Sequence, residues 1–204
     1  MTLPKYDKSK RKKTFEMLPK GAYVIKIMNA VEETNKSGRG SHLEISFDIA
    51  EGEYKDFYLR QYNNNSAEDK KWPRDAVYYL TVPSDGCEAY IWDNWNTFFA
   101  DLEDSNNGFV FGGGDPRQLR GKVIGGKFRL EQNEWNGTIY DHIRMQWTCV
   151  ADDVRNGKAG KMPKDKLITA PSPAPIAGTG ILPEAAENDW MNIPDGIEDN
   201  LPFA

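Results

Sequence analysis

Basic and aromatic side chains occur together on segments whose patterns are typical of β-strands. This combination can bind single-stranded nucleic acid, because cations pair with phosphates and flat rings stack on exposed bases. The strand period of two would place the members on a strand on one of its faces, while Lys36 and Arg39 fall in a turn and Trp135 at a hairpin tip. The candidate nucleic-acid-binding residues are Lys36, Arg39, Tyr58, Arg60, Tyr62, Lys127, Arg129, Trp135, Tyr140 and Arg144. Each alone could simply favour β structure or solubility, and it is the set that favours a binding function.

The sequence offers little support for catalysis or for a metal site. Gly112-Gly113-Gly114 is not followed by Lys-Ser or Lys-Thr, so it is no phosphate-binding loop of the Walker type. His42 and His142 lie far apart in the chain, and no nucleophile stands at an interpretable spacing from either. Cys87 and Cys149 are too few for a disulfide framework or a Cys/His zinc site. We therefore expect no enzyme, no cofactor and no metal ion.

The elements that must position the candidate residues are mainly strands. Residues 42–49 alternate between apolar and polar side chains, which indicates a half-buried strand. Asn136-Gly137 is typical of a hairpin turn between two long strands. The predicted strands span residues 22–28, 42–49, 57–62, 77–82, 122–131 and 138–150. On the last of them, the side chains expected to share the apolar face are Ile139, Ile143, Met145, Trp147 and Cys149.

One amphipathic helix and one short turn complete the predicted body. The helix is indicated by an apolar stripe at helical spacing, formed by Trp92, Trp95, Phe99 and Leu102. The short helical turn is predicted at Asp115-Pro116. About five strands curved by glycines, with one capping helix, favour a mainly β, OB-fold-like Greek-key barrel. A generic β-sandwich and an α+β sheet are the alternatives.

The charge of the chain is unevenly distributed along its 204 residues, although the net value is −5. Six acidic residues and no basic one follow Leu167, whereas residues 1–166 hold 26 basic and 25 acidic residues. We predict a flexible basic arm at 1–17, a body at 18–152, a Gly/Pro/Ala-rich linker at 153–180 and a disordered acidic tail at 181–204. Two solvated ends without partners are the alternative explanation of the charged termini.

The sequence contains no run of 18 apolar residues, so we expect no transmembrane helix. The basic N-terminal residues are not followed by an apolar stretch, and we therefore expect no secretory signal. The low cysteine content fits a reducing compartment.

The end of the chain, residues 195–204, reads DGIEDNLPFA. It resembles the acidic, Pro-Phe-ended tip of bacterial single-stranded-DNA-binding proteins. That resemblance implies docking on replication or recombination proteins, with carboxylates meeting a basic rim and the Pro-Phe pair filling an apolar pocket. Ala204 follows the phenylalanine here, whereas the family ends on it. The implied docking residues are Asp195, Glu198, Asp199, Leu201, Pro202 and Phe203.

Five motifs of the body resemble a phage-encoded family of single-stranded-DNA-binding proteins. They are LPKGAY at 18–23, VEETNKSG at 31–38, IAEGEYK at 49–55, LRGKV at 119–123 and EWNG at 134–137. The resemblance implies an OB-fold that coats single-stranded DNA during phage replication or recombination, in the cytoplasm of a bacterial host.

We therefore predict a protein that binds and protects single-stranded DNA with little sequence preference and recruits partner proteins through its tail. Both a monomer and a homo-oligomer are compatible with the sequence. Two alternatives are a phage accessory protein with a structural body, and a β-rich binding module for RNA or a glycan. No membrane partner is expected.

Overall fold

The computed structural model describes residues 16–38 and 40–168. Arg39, nearly all of the predicted basic arm and the whole acidic tail, with its six implied docking residues, lie outside the described residues.

The described chain is mainly β, as predicted, with five strands and three helices. The strands are β1 (Gly21–Thr34), β2 (Ser41–Ile49), β3 (Val77–Thr81), β4 (Val123–Trp135) and β5 (Thr138–Cys149). The helices are α1 (Phe57–Asn64), α2 (Ala89–Ser105) and α3 (Ala151–Arg155). Two 3₁₀ turns cover Arg74–Ala76 and Pro116–Leu119, the second at the predicted Asp115-Pro116 site.

The five strands form one antiparallel sheet in the order β3-β2-β1-β4-β5. β1 is long enough to pair with both neighbours: its first half lies against β4, and its second half continues along β2. The two end strands, β3 and β5, are not joined by a hydrogen-bonded ladder within the described residues. The sheet nevertheless curves enough to bring them close to each other.

The core lies on the concave side of this curved sheet. Apolar side chains from all five strands line it, among them the fully buried Ile25, Phe47 and Phe128. α2 lies between β3 and β4 in the chain and adds Phe98 and Leu102 to the same cluster. The burial of this apolar surface is the main stabilising contribution to the fold.

The strand predicted at 57–62 is wrong, because these residues form α1. The helix begins where Asp48, a buried carboxylate on β2, accepts backbone N–H groups of Tyr58 at 2.9 Å and Leu59 at 3.0 Å. Burial raises the pKa of Asp48, and these backbone donors oppose the shift only in part. A contact from another element therefore supplies the acceptor that the first turn of a helix needs.

The apolar stripe predicted on α2 is confirmed for only part of its length. Phe99 and Leu102 are buried, and Phe98 joins them. Trp92 lies near the start of the helix and is 47% exposed. Trp95 is half-buried and packs against the core, so the core covers α2 from Trp95 onward and leaves its first turn largely exposed.

A register shift in the β4–β5 ladder changes which side chains of β5 face the core. Phe128 pairs with Met145 and Lys127 pairs with Trp147, so Gln146 is an extra residue in the described ladder. Such a bulge inverts the side-chain alternation that follows it. Ile143 and Met145 are buried as predicted, but Trp147 is turned outward. The prediction that Trp147 is a core residue is therefore wrong.

The chain after α3 folds back onto β4. We call residues 158–168 the strap; it lies within the linker predicted at 153–180, whose first residues belong to α3. Lys166 donates its backbone N–H to the carbonyl of Leu130 at 2.9 Å and accepts the N–H of Gln132 at 2.9 Å. These bonds run along the edge of β4 that β1 leaves uncovered, since β1 pairs only as far as Phe128. The strap thereby satisfies an open strand edge.

None of the described helices is long and apolar enough to cross a membrane.

Candidate nucleic-acid interface

Four side chains follow one another along the outer side of β5. They are Tyr140, His142, Arg144 and Trp147. The buried Ile143 and Met145 point to the core between them, so strand alternation and the bulge together keep the four on one side. Tyr140 is 48% exposed and Trp147 is 41% exposed. Two rings and two nitrogen-bearing groups therefore face outward along a single strand.

The neighbouring strand β4 adds charged side chains directly opposite. In the ladder Lys127 pairs with Trp147, Arg129 with Arg144 and Glu131 with His142. We call these three pairs, together with Tyr140, the β5 face. Four of the candidate residues, Lys127, Arg129, Tyr140 and Arg144, are thus brought onto one surface. Trp135 ends β4 at the hairpin tip and is 71% exposed.

Acidic groups hold the cations of the β5 face in place. Asp75 lies in the 3₁₀ turn before β3, and its Oδ1 is 3.1 Å from Nδ1 of His142 and 3.4 Å from Nε of Arg144. Glu131 lies 3.7 Å from a terminal guanidinium nitrogen of Arg129. Two arginines directly opposite each other would repel one another. The two carboxylates offset that repulsion, and the two arginine side chains remain only partly exposed, at 20% and 32%.

The far end of the β5 face is fixed to α2. The hydroxyl of Thr148 donates to Asp101 of α2 at 2.6 Å. Burial raises the pKa of Asp101, while this hydrogen bond and the charge of Lys127 lower it in part. α2 is therefore anchored beside Trp147, the last residue of the row.

Tyr58, Arg60 and Tyr62 lie apart from this surface on α1. The side chain of Tyr58 is buried, and this burial raises the pKa of its hydroxyl, with a smaller contribution from Asp75. Arg60 is exposed and donates to the carbonyl of Lys55. Tyr62 packs against Trp72, with ring centroids 5.7 Å apart. The prediction that the three share a strand face is wrong, since they occupy a helix.

Lys36 is exposed in the turn between β1 and β2, and Arg39 of the same turn lies outside the described residues. This turn is placed by the extension of β1 and β2 beyond the core, where Thr34 pairs with Ser41.

Two aromatic residues that the sequence reasoning missed also face outward. The first is Trp147, which the bulge turns outward; the sequence gives no recognisable signal for that bulge. Tyr79 on β3 is exposed, and its ring lies 5.4 Å from that of His42 on β2. Alternation predicts this orientation, because its neighbours Tyr78 and Leu80 face Phe98 and the core. Burial raises the pKa of Tyr78 to about 12.

A cleft on another part of the body has the wrong charge for a phosphate. It has a volume of about 470 Å³ and lies between the start of β1 and α3, with Glu51, Glu53 and Arg155 in its lining. The guanidinium of Arg155 is bound by Glu51 at 2.7 Å and by Asp152 at 2.6 Å. This cleft therefore offers acidic groups and an already paired cation.

No group of three or more His, Cys, Asp or Glu side chains in residues 16–38 and 40–168 could hold a metal ion. No protein-family model matches the chain, and no curated protein matches it either.

Proposed function

We propose that the protein is a non-enzymatic single-stranded-DNA-binding protein that holds its ligand on the β5 face. The observation that supports this most directly is the row of outward side chains on β5, in which rings and cationic or titratable groups follow one another. Arginines pair with phosphates, and exposed rings stack on unpaired bases with little regard to sequence.

The strand order supports a finer proposal for the fold, that of an OB-fold. β1 lies between β2 and β4, α2 connects β3 to β4, and the end strands approach each other. An OB-fold is a five-stranded, partly open Greek-key barrel that binds oligonucleotides on the face of its strands 2 and 3 and through its β1–β2 and β4–β5 loops. In this chain Lys36 lies in the first of these loops and Trp135 directly precedes the second; both are candidate residues. The β5 face proposed here lies on strands 4 and 5 and adjoins the β4–β5 loop.

In the proposed complex, the cations and rings have different tasks. Arg129, Arg144 and Lys127 replace the counterions of the phosphate backbone, so the affinity falls as salt rises. Trp135, Tyr140 and Trp147 stack on bases that a duplex would keep inside its helix. The mechanism therefore favours single strands over duplex DNA.

The proposed biological role is the coating of single-stranded DNA during phage replication or recombination, with recruitment of partner proteins by the acidic tail. It rests on the two resemblances of the sequence, one in the body and one in the last ten residues.

Titration of the intrinsic tryptophan fluorescence tests the proposed function. We expect quenching by oligo-dT, because Trp147 lies on the β5 face and Trp135 at the adjoining hairpin tip, and a much smaller change with duplex DNA of equal length. A response to a soluble glycan or to duplex RNA alone would instead indicate a binding module for that ligand. A flat response to every ligand would contradict the proposal and favour a structural body.

Asp75→Asn should tighten the binding of oligo-dT by about threefold at low salt, since a phosphate must compete with this carboxylate for Arg144. Fluorescence anisotropy of a labelled oligonucleotide measures the change. Asp141→Asn is the control, because it removes the same charge from β5 itself, where Asp141 accepts a hydrogen bond from Gln132 rather than from Arg144 or His142. Equal effects of the two substitutions, or weaker binding by folded Asp75→Asn protein, would contradict this competition.

A further inference from the structure

The strap is a strongly basic segment whose placement no sequence feature indicates. Residues 158–168 contain four lysines and one acidic residue. All four lysine side chains are exposed, and they are Lys158, Lys161, Lys164 and Lys166. The first three are spaced three residues apart in a segment without helix or turn hydrogen bonds of its own. The strap therefore presents a line of positive charges at the surface of the body.

The strap is fixed to the body by its other residues. Pro163 is buried, and Asp165 accepts the N–H of Leu130 at 3.1 Å and the ammonium group of Lys20 at 2.7 Å. This hydrogen bond from Lys20 is the largest contribution to a lowered pKa of Asp165. The one acidic side chain of the strap is thus used to hold it in place, which leaves the outward charge of the segment positive.

The strap borders the β5 face on its β4 side. A terminal nitrogen of Arg129 approaches the carbonyl of Lys164 at 3.5 Å, and the ammonium group of Lys166 lies 3.5 Å from Glu131. Lys127, also on the β5 face, lies close to Gly160 of the strap. The strap lysines therefore adjoin the cations of the β5 face, and Glu131 lies between Arg129 and Lys166.

We propose that the strap lysines are a second phosphate-binding element, which holds the backbone of the single strand whose bases stack on the β5 face. This rests on the proposed function and extends it to residues outside the sheet. Lysine suits the task because its ammonium group is a point charge that binds phosphate without selecting a base. The ligand at the strap is thus the sugar-phosphate backbone, and the contribution of the strap is independent of sequence.

The experiment compares salt dependence in the full-length chain. A triple variant, Lys158→Gln, Lys161→Gln and Lys164→Gln, is titrated with labelled oligo-dT between about 50 and 200 mM salt. Each lost phosphate contact on a single strand should reduce the slope of log K against log salt by about 0.7. We therefore expect a slope smaller by about 2 and an affinity about tenfold lower at the lowest salt.

A control variant removes the same charge elsewhere, through Lys26→Gln, Arg117→Gln and Arg120→Gln, three exposed positions on β1 and in the turn before β4. Its slope should stay within about 0.5 of that of the wild type. If the strap variant keeps the wild-type slope, or both variants lose it equally, the strap proposal is wrong while the proposed function stands. If the wild-type chain does not bind oligo-dT at any salt concentration, both proposals are wrong.

Discussion

Replacing Trp147 and Tyr140 together by alanine should weaken the binding of oligo-dT by about 100-fold. Each base that stacks on an aromatic side chain contributes about 1–3 kcal/mol, and both rings are exposed on the β5 face. Their loss removes stacking partners at both ends of the row and leaves Arg144 between them unchanged. Because the substitution removes a tryptophan, binding is measured by the anisotropy of a labelled oligonucleotide rather than by protein fluorescence.

The chain offers a closely matched control on α2. Tyr90 is 50% exposed and Trp92 is 47% exposed, so the double variant Tyr90→Ala and Trp92→Ala removes the same two ring types at similar exposure. Neither ring lies on the β5 face, and this variant should bind within about twofold of the wild type. An equal loss in both double variants would place the ligand elsewhere or indicate general damage, which thermal unfolding of each variant would reveal.

The ring and strap variants together separate the two parts of the binding free energy. Stacking is a contact between uncharged groups, so loss of Trp147 and Tyr140 should lower the affinity by a similar factor at every salt concentration. Loss of the strap lysines should act most strongly at low salt, where counterion release contributes most. In a plot of log K against log salt, the line of the ring variant should run parallel to that of the wild type. The line of the strap variant should converge with that of the wild type as salt rises.

Several elements could be predicted from the sequence because their determinants are local. Asn136 and Gly137 both have positive φ, 51° and 73°, as a hairpin turn with the predicted Asn-Gly pair requires. The alternation of residues 42–49 likewise matches β2, with Leu43, Ile45 and Phe47 all buried. The hairpin then determined that Arg129 and Arg144 share one face, as expected from the period of the two strands.

The parts that could not be predicted depend on contacts between distant segments. α1 begins where the side chain of Asp48 on β2 accepts its first backbone N–H groups. The bulge at Gln146 turns Trp147 outward, and no feature of the local sequence predicts this bulge. The strap has the composition of a linker, and only the free edge of β4 beyond Phe128 explains why it is ordered there. Asp75 and His142 are in contact although they are 67 residues apart in the chain, so no periodic pattern of the sequence predicts their contact.

Asp48→Ala should destabilise the body by about 3–4 kcal/mol, the largest effect that we expect from a single substitution. The side chain is 2% exposed, and it accepts N–H groups of Ile49, Tyr58 and Leu59. Alanine leaves these donors without their acceptor in a region largely closed to water, and each unsatisfied buried group costs about 1–3 kcal/mol. Denaturant unfolding followed by circular dichroism measures the change.

Two comparison variants show whether the loss comes from these hydrogen bonds. Asp48→Asn keeps one accepting oxygen and should lose about half as much stability as alanine, whereas Asp69→Ala, at an exposed turn position, should change stability by less than about 0.5 kcal/mol. A loss below about 1 kcal/mol for Asp48→Ala would contradict the argument. Since none of the residues of the β5 face bonds to Asp48, folded Asp48→Asn protein should bind oligo-dT as the wild type does, which separates the residue that starts α1 from those that bind the ligand.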